Sequence, residues 1–251
     1  MHVTLTWEGK SYQADLSAPI SIALPLKPDS TSIRAWNAPP IGIEPVQVGD
    51  WIGAVKQGAP VNFMNFCINP HGNGTHTETM GHIIANWEEN TILSLLPNAP
   101  FLTILRSVAT NVLDNGDSVV DFSSLRQNPP RTPGVILRVL GEKAQDIDFS
   151  NQNPPYFEAS DLRWLAKQGV LHLITDLPSV DREVDGGALA GHHAWWSIPE
   201  NPRREATITE LARLNQPLVD GLYLAGLHAL PLAADASPSH PLLYPLSLLP
   251  D

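Results

Sequence analysis

His71-Gly72-Asn73-Gly74-Thr75-His76-Thr77-Glu78-Thr79-Met80-Gly81-His82 places three imidazoles and a carboxylate within one short stretch, wrapped around Gly72 and Gly74. His and Glu are the side chains that ligate zinc or manganese in hydrolytic sites. His76 and Glu78 are two apart, so in an extended segment both leave the same face. His82 follows four residues later and can return to that face. The glycines let the backbone turn tightly and approach an ion or substrate closely. No fixed metal-binding expression is met, so the spacing alone is equally compatible with a polar loop carrying scattered histidines.

Outward from this stretch the pattern is mostly strands. Val3–Trp7 and Ser11–Leu16 flank the turn Glu8-Gly9-Lys10 and predict a hairpin. Short strands are expected at Ile20–Leu24, Trp51–Val55 and Val61–Ile68, with a Pro- and Ser-rich loop carrying Trp36 over residues 25 to 50. Ile92–Leu96, Phe101–Val108, Val135–Val139 and Val170–Thr175 read as buried strands, and Gly221–Ala233 as the last long one. Ser160–Gln168 predicts the clearest helix, with Ser160 as cap and Gly169 as stop. A short helix is expected at Asp121–Leu125. The Pro-rich tail, Asp235–Asp251, is expected to run extended over the surface or a partner. Twenty-four prolines, close to twice the usual share of about 5%, favour turns and strands over long helices. The expectation is one α/β domain over 1–251, since 251 residues with 43% apolar composition can bury a full core.

A net charge of −11 without a basic stripe argues against nucleic acid. No signal peptide or membrane span is expected, and a cytoplasmic location follows by default. Cys67 is the single cysteine, which excludes an internal disulfide and Cys-rich zinc sites; it reads as a small buried hydrophobe. There is no Gly-x-Ser-x-Gly elbow for a serine nucleophile and no third glycine for a dinucleotide fingerprint. His172 and His228 lie in apolar strands and read as core.

A second cluster, Gly191-His192-His193-Ala194-Trp195-Trp196, precedes Glu210 in Thr207-Ile208-Thr209-Glu210-Leu211. Taken with the first, it resembles the cyclase-like metal hydrolases that include bacterial kynurenine formamidase and isatin hydrolase. Their pattern His-x-Gly-Thr-His-x-Asp-x-Pro-x-x-His is approached by Gly74-Thr75-His76-Thr77-Glu78 and His82. Their Asp-x-x-Ser-Val-Asp segment resembles Asp176-Leu177-Pro178-Ser179-Val180-Asp181. Three departures stand out: His71 lies five rather than four before His76, Glu78 replaces an aspartate, and Met80-Gly81 stands where a proline often sits.

The resemblance implies a β-barrel-like mixed sheet with a few flanking helices (the cyclase-like swivelling fold), a homodimer, and one or two divalent ions, Zn2+ or Mn2+. It implies His76, Glu78, His192 and Glu210 as ligands, His71 as a further one, and His82 as the acid/base. His193 competes with His192 for the same role. Trp87, Trp195 and Trp196 are the candidates for contact with an aromatic substrate. The implied activity is hydrolysis of a small-molecule amide of the arylformamidase type, N-formylkynurenine to kynurenine and formate in tryptophan breakdown. The alternatives are a hydrolase of a cyclic amide or lactone such as isatin, and an inactive metal-binding protein.

Overall fold

Four strands lie parallel at the centre of the protein, and their order follows from the chain between them. In a computed structural model that describes residues 1–28, 32–95, 99–141 and 148–250, nine strands form one curled half-barrel sheet. They are β1 (Ile20–Ser21), β2 (His76–Glu78), β3 (Phe101–Ser107), β4 (Gly134–Arg138), β5 (His172–Thr175), β6 (Thr207–Glu210), β7 (Gly221–Gly226), β8 (Ala236–Pro238) and β9 (Leu242–Pro245). Their spatial order is β8-β2-β6-β5-β4-β3-β7-β9-β1. Strands β3, β4, β5 and β6 run parallel, and all other neighbours in the sheet are antiparallel.

Parallel neighbours need crossovers, and short helices supply them. Besides α1 (Ile92–Leu95), these are α2 (Ser123–Gln127) between β3 and β4, α3 (Ala159–Lys167) between β4 and β5, and α4 (Ala190–Trp196) between β5 and β6. The central strands are buried on both faces: Val135, Ile136, Leu137, Leu173, Ile174 and Ile208 are fully inaccessible. The helical face carries Leu162, Leu165, Trp195 and Trp196; the other face carries Ile22, Leu105, Leu214 and Leu243. At about 25 cal/mol per Å² of apolar surface, each such leucine contributes roughly 1.5–3 kcal/mol.

Several expectations are corrected. Residues Ile92–Leu95 form helix α1, not a strand; Leu96 lies outside the described residues. Ser160 does not cap α3, which begins one residue earlier after Glu158. Strand β7 stops at Gly226, and His228 is exposed in a left-handed turn (φ 48°), not in the core. The tail is not a surface strap: β8 and β9 are integral to the sheet, and Ala236 and Leu243 are fully buried. Cys67 is exposed, because among the described residues Met64–Cys67 pairs only with Gly42–Pro45, in a two-stranded arm outside the core. The N-terminal hairpin, His2–Trp7 with Lys10–Asp15, agrees with its expectation. Among the described residues no helix is long and apolar enough to cross a membrane.

Candidate metal centre

Strand β2 supplies the floor of the site. His76 and Glu78 leave one face of it, fully buried, while Thr77 leaves the other. Thr77 Oγ1 sits 2.8 Å from Thr209 Oγ1 and donates to Ser239 Oγ at 3.0 Å, so the polar back of the strand is satisfied by its two neighbours. Glu210 on β6 is the direct cross-strand partner of His76. This register brings Glu210 Oε2 to 3.4 Å from His76 Nε2.

His192 arrives from α4. The first turn of that short helix is tied to the carboxylate of Asp181, which accepts from Gly191 N at 2.5 Å and His192 N at 3.1 Å. Asp181 also holds the ring, with Oδ2 2.5 Å from His192 Nδ1. The opposite nitrogen, Nε2, therefore faces Glu78 Oε1 at 3.1 Å. His193 is half-buried and makes none of these contacts. The segment before α4 is braced: Asp176 accepts from the backbone N–H of Val139, Leu140 and Gly141, Asp181 N donates to Ser179 Oγ, and Val180 N donates to Glu210 Oε1.

His71 and His82 come from the two ends of the glycine-rich stretch. The turn holding His71 packs tightly, since a Cβ on Gly72 would lie 2.3 Å from Ala38 Cβ. His71 Nδ1 is 3.3 Å from Glu78 Oε2, and its ring centroid is 5.1 Å from that of His76. The extra residue between His71 and His76 is thus absorbed in the turn. His82 lies on a one-turn 3₁₀ segment, Met80–Ile83, capped by Thr79 Oγ1 accepting from Gly81 N. Its ring stacks on His71 at 4.1 Å.

Asp235 was not anticipated from sequence. Its Oδ2 lies 3.0 Å from His71 Nε2 and 3.2 Å from His82 Nδ1. It is 157 positions from Glu78 in the chain and is brought there because Thr79 N donates to its carbonyl at the start of β8. Only the pairing of β2 with β8 reveals it.

The electrostatics are those of a cation-seeking cluster. Burial opposes charge on His71, yet Asp235 and Glu78 push its pKa up to about 10. Burial likewise opposes charge on His192, and Glu78 and Asp181 push it up to about 10. Burial would raise the Glu78 carboxyl, but His82 and His192 hold it well below the usual carboxylate range. Glu210 is raised, first by burial and then by the charge of Glu78. Two buried carboxylates in one pocket cannot both ionise without positive charge between them.

The donor set fits a divalent ion. Among the described residues, His76 Nε2 and Glu78 Oε2 are buried and make no hydrogen bond; their nearest partners, Glu210 Oε2 and His71 Nδ1, stand off at 3.4 and 3.3 Å. His76 Nδ1 is engaged 2.9 Å from Gly74 O, so Nε2 is the nitrogen aimed inward. Three overlapping groups have donor atoms within 4.8 Å of one another: His71, His76 and Glu78; Glu78, His82 and His192; and His71, His82 and Asp235.

A cleft of about 300 Å³ opens over these groups, bordered by Trp36, Leu189, Arg182 and the rings of His71, His82 and His192. The aromatic at its edge is Trp36, not the three tryptophans expected. Trp195 and Trp196 are fully buried; Trp196 stacks behind His192 at 5.7 Å. Trp87 is exposed and does not border the cleft. Trp36 stood in a long loop with no periodicity to point at it.

Comparison with known proteins agrees with this fold. The Cyclase family model, described as "Putative cyclase", matches residues 14–182. Kynurenine formamidase of Bordetella petrii is 29% identical over 235 residues, 91% of this chain and 96% of that protein. A solved predicted metal-dependent hydrolase from Bacillus stearothermophilus superposes with a TM-score of 0.64 at 16% identity, covering 90% of this chain and 98% of that one. Isatin hydrolase A from Labrenzia aggregata gives 0.62 at 12% identity over 90% and 93% of the two chains. With its model spanning more than half of the sequence, the chain belongs to the cyclase family.

Proposed function

We propose that this protein is a divalent-metal-dependent hydrolase of aryl amides, of the arylformamidase type, with N-formylkynurenine or a related aryl formamide as substrate. The observation that carries the proposal is the buried pair of inward-facing donors that make no hydrogen bond among the described residues, His76 Nε2 and Glu78 Oε2, grouped with His71 and His192 and with Glu210 Oε2 3.4 Å from His76 Nε2. These five residues would hold the ion, Zn2+ or Mn2+ by donor type. When bound, such an ion supplies Lewis acidity to the amide carbonyl and lowers the pKa of water from 15.7 towards about 7.

The chain's own contribution is orientation and proton transfer. Asp235 fixes the His82 ring through Nδ1, so Nε2 is the nitrogen directed into the cleft, 3.9 Å from Glu78 Oε2. His82 Nε2 takes the proton of the attacking water and delivers it to the leaving aniline nitrogen. Asp181 and Gly74 O hold the rings of His192 and His76 so that both present Nε2 inward. Trp36 offers the substrate ring an aromatic face, worth about 0.5–1.5 kcal/mol for an offset pair. The relative named kynurenine formamidase supports this substrate class.

A second reading, hydrolysis of a neutral cyclic amide or lactone, is favoured by Arg182. This arginine of the cleft lining is already paired to Asp117 and to the carbonyl of Val184, and so offers no free cation to an amino-acid carboxylate. The deciding assay is release of the free aniline, followed by absorbance, with metal-stripped protein as control. Turnover of N-formylkynurenine or formylaniline faster than of isatin or a lactone is expected. Preference for the cyclic substrates would move the assignment to the second reading. No turnover with the ion bound would mean an inactive binding protein.

A further inference from the structure

On the other side of β2 and β8 lies a larger cavity, about 510 Å³, that shares no lining residue with the cleft over the metal centre. Its apolar wall is Ala23, Leu24, Pro25, Leu26, Leu230 and Pro238. Its polar wall is Arg213, His228, His240, Ser21, Thr75 and Ser239. No carboxylate lines it among the described residues, although the chain as a whole carries a net charge of −11.

The polar groups converge because of the fold. An isolated antiparallel bridge pairs Ala229 with Ser239, and His240 N donates to His228 O at 3.3 Å. Backbone positions 228 and 240 are therefore paired where both residues line the cavity. His240 Nε2 and Ser21 Oγ share a hydrogen bond of 2.9 Å, which fixes that ring from β1. His228 is held in a left-handed conformation, φ 48°, of the kind that persists only where surrounding structure imposes it. Arg213 is anchored by its backbone N–H on Ile22 O at 2.7 Å, while its guanidinium has no partner among the described residues. Ser239 Oγ accepts from Thr77, and its own proton has no described acceptor.

A planar fork of donors beside hydroxyls and imidazoles is the recognition geometry for a carboxylate, and an apolar wall beside it suits a hydrophobic body. We propose that this cavity is a second binding site, separate from the metal centre, for a small amphipathic monocarboxylate. Arg213 pairs with the carboxylate, Ser239 and His240 complete its hydrogen bonds, and the Leu24–Leu26 and Leu230 wall takes the hydrocarbon part.

Benzoate and benzamide are the probes, titrated by calorimetry into the purified protein with its metal. Saturable benzoate binding is expected, at least ten-fold weaker for benzamide. Arg213→Gln and Arg213→Glu are expected to weaken benzoate at least ten-fold, and His240→Ala several-fold, while amide turnover and melting temperature stay at the wild-type values. Competition is informative too: benzoate bound here leaves the KM of the amide substrate unchanged. Equal benzoate affinity in both Arg213 variants, equal binding of benzamide, or benzoate acting only as a competitor of substrate would overturn the proposal. Loss of turnover in the aryl amide assay would leave the benzoate result intact, so the two proposals fail separately.

Discussion

At the scale of single residues, the site depends on which nitrogen of each imidazole is already engaged. His76 uses Nδ1 on Gly74 O and His192 uses Nδ1 on Asp181, leaving Nε2 of both for the ion. His76→Ala and His192→Ala should each lose most of the divalent ion from the purified protein, measured by elemental analysis. Full occupancy in both would defeat the ligand assignment. Asp181→Asn keeps the shape but weakens the hold on His192, and a loss of about 10–100-fold in metal affinity is expected. His82 is different, since its partner Asp235 lies on the half-buried side of the cluster. His82→Ala should lower turnover by roughly 10²–10⁴-fold with the ion retained; loss of the ion would instead make His82 a ligand. His172, away from the site, gives a pH test. Burial, and then the charge of Arg203, lower its pKa to about 4, below the unfolded value of about 6.5. The folded state therefore holds it neutral, and its contribution is complete above pH 6.5 and lost as pH falls from there towards 4. The melting temperature should fall less between pH 7 and pH 5 in His172→Phe than in wild type; identical slopes would count against it.

At the scale of elements, α4 is the piece the site cannot do without and the piece the sequence hid. Its seven residues are buried on nearly every side, its N-cap Leu189 offers no side-chain cap, and the carboxylate that ties down its first turn comes from Asp181. Such a helix shows neither a 3.6-residue stripe nor a start signal. Strand β6 was equally opaque: Thr-Ile-Thr-Glu is polar by composition yet buried throughout, with the Thr209 hydroxyl hydrogen-bonded to Thr77, which in turn donates to Ser239. Elements with one solvated face, such as the N-terminal hairpin and α3, declared themselves by their alternation or stripe. The ligand-type residues around β2 were legible because residues two apart in a strand must share a face. Asp235 and Trp36 were not, since long-range strand pairing and an irregular loop carry no local signal. Gly191 tests the role of α4 directly. A Cβ there would lie 2.7 Å from Asp181 Oδ1 and 3.1 Å from Leu162 Cδ1. Gly191→Ala should push α4 off α3 and lower both melting temperature and metal affinity, whereas Gly186→Ala, with open space around it but a positive φ, should affect only stability. Wild-type metal affinity in Gly191→Ala would show that the helix position is not what sets the site.

At the scale of the whole molecule, the apolar tail no longer argues for a partner, because its strands are spent inside the sheet. The surface left to meet a partner is the arm formed by residues 42–67. Two two-stranded ribbons, Gly42–Pro45 with Met64–Cys67 and Gln47–Val48 with Trp51–Ile52, stand outside the central sheet. Isolated ribbons of this kind are marginal in water unless something packs on them. Here Val48, Val55, Val61, Phe63 and Phe66 are all more than half exposed, and Trp51 leans on Phe63 at 6.3 Å. The arm carries only Glu44, Asp50 and Lys56 as charged residues, on a chain of net charge −11. It is therefore the part of the surface where a second, equally acidic copy can approach with least repulsion and the most apolar area to cover. We predict a homodimer closed by this arm. Light scattering at micromolar concentration should give twice the 27.3 kDa chain mass, and Phe63→Glu with Phe66→Glu should shift the protein to monomer without removing the ion, since neither residue touches the metal centre. A wild-type protein that scatters as a monomer would rule out the dimer, and a variant that stays dimeric would place the interface elsewhere.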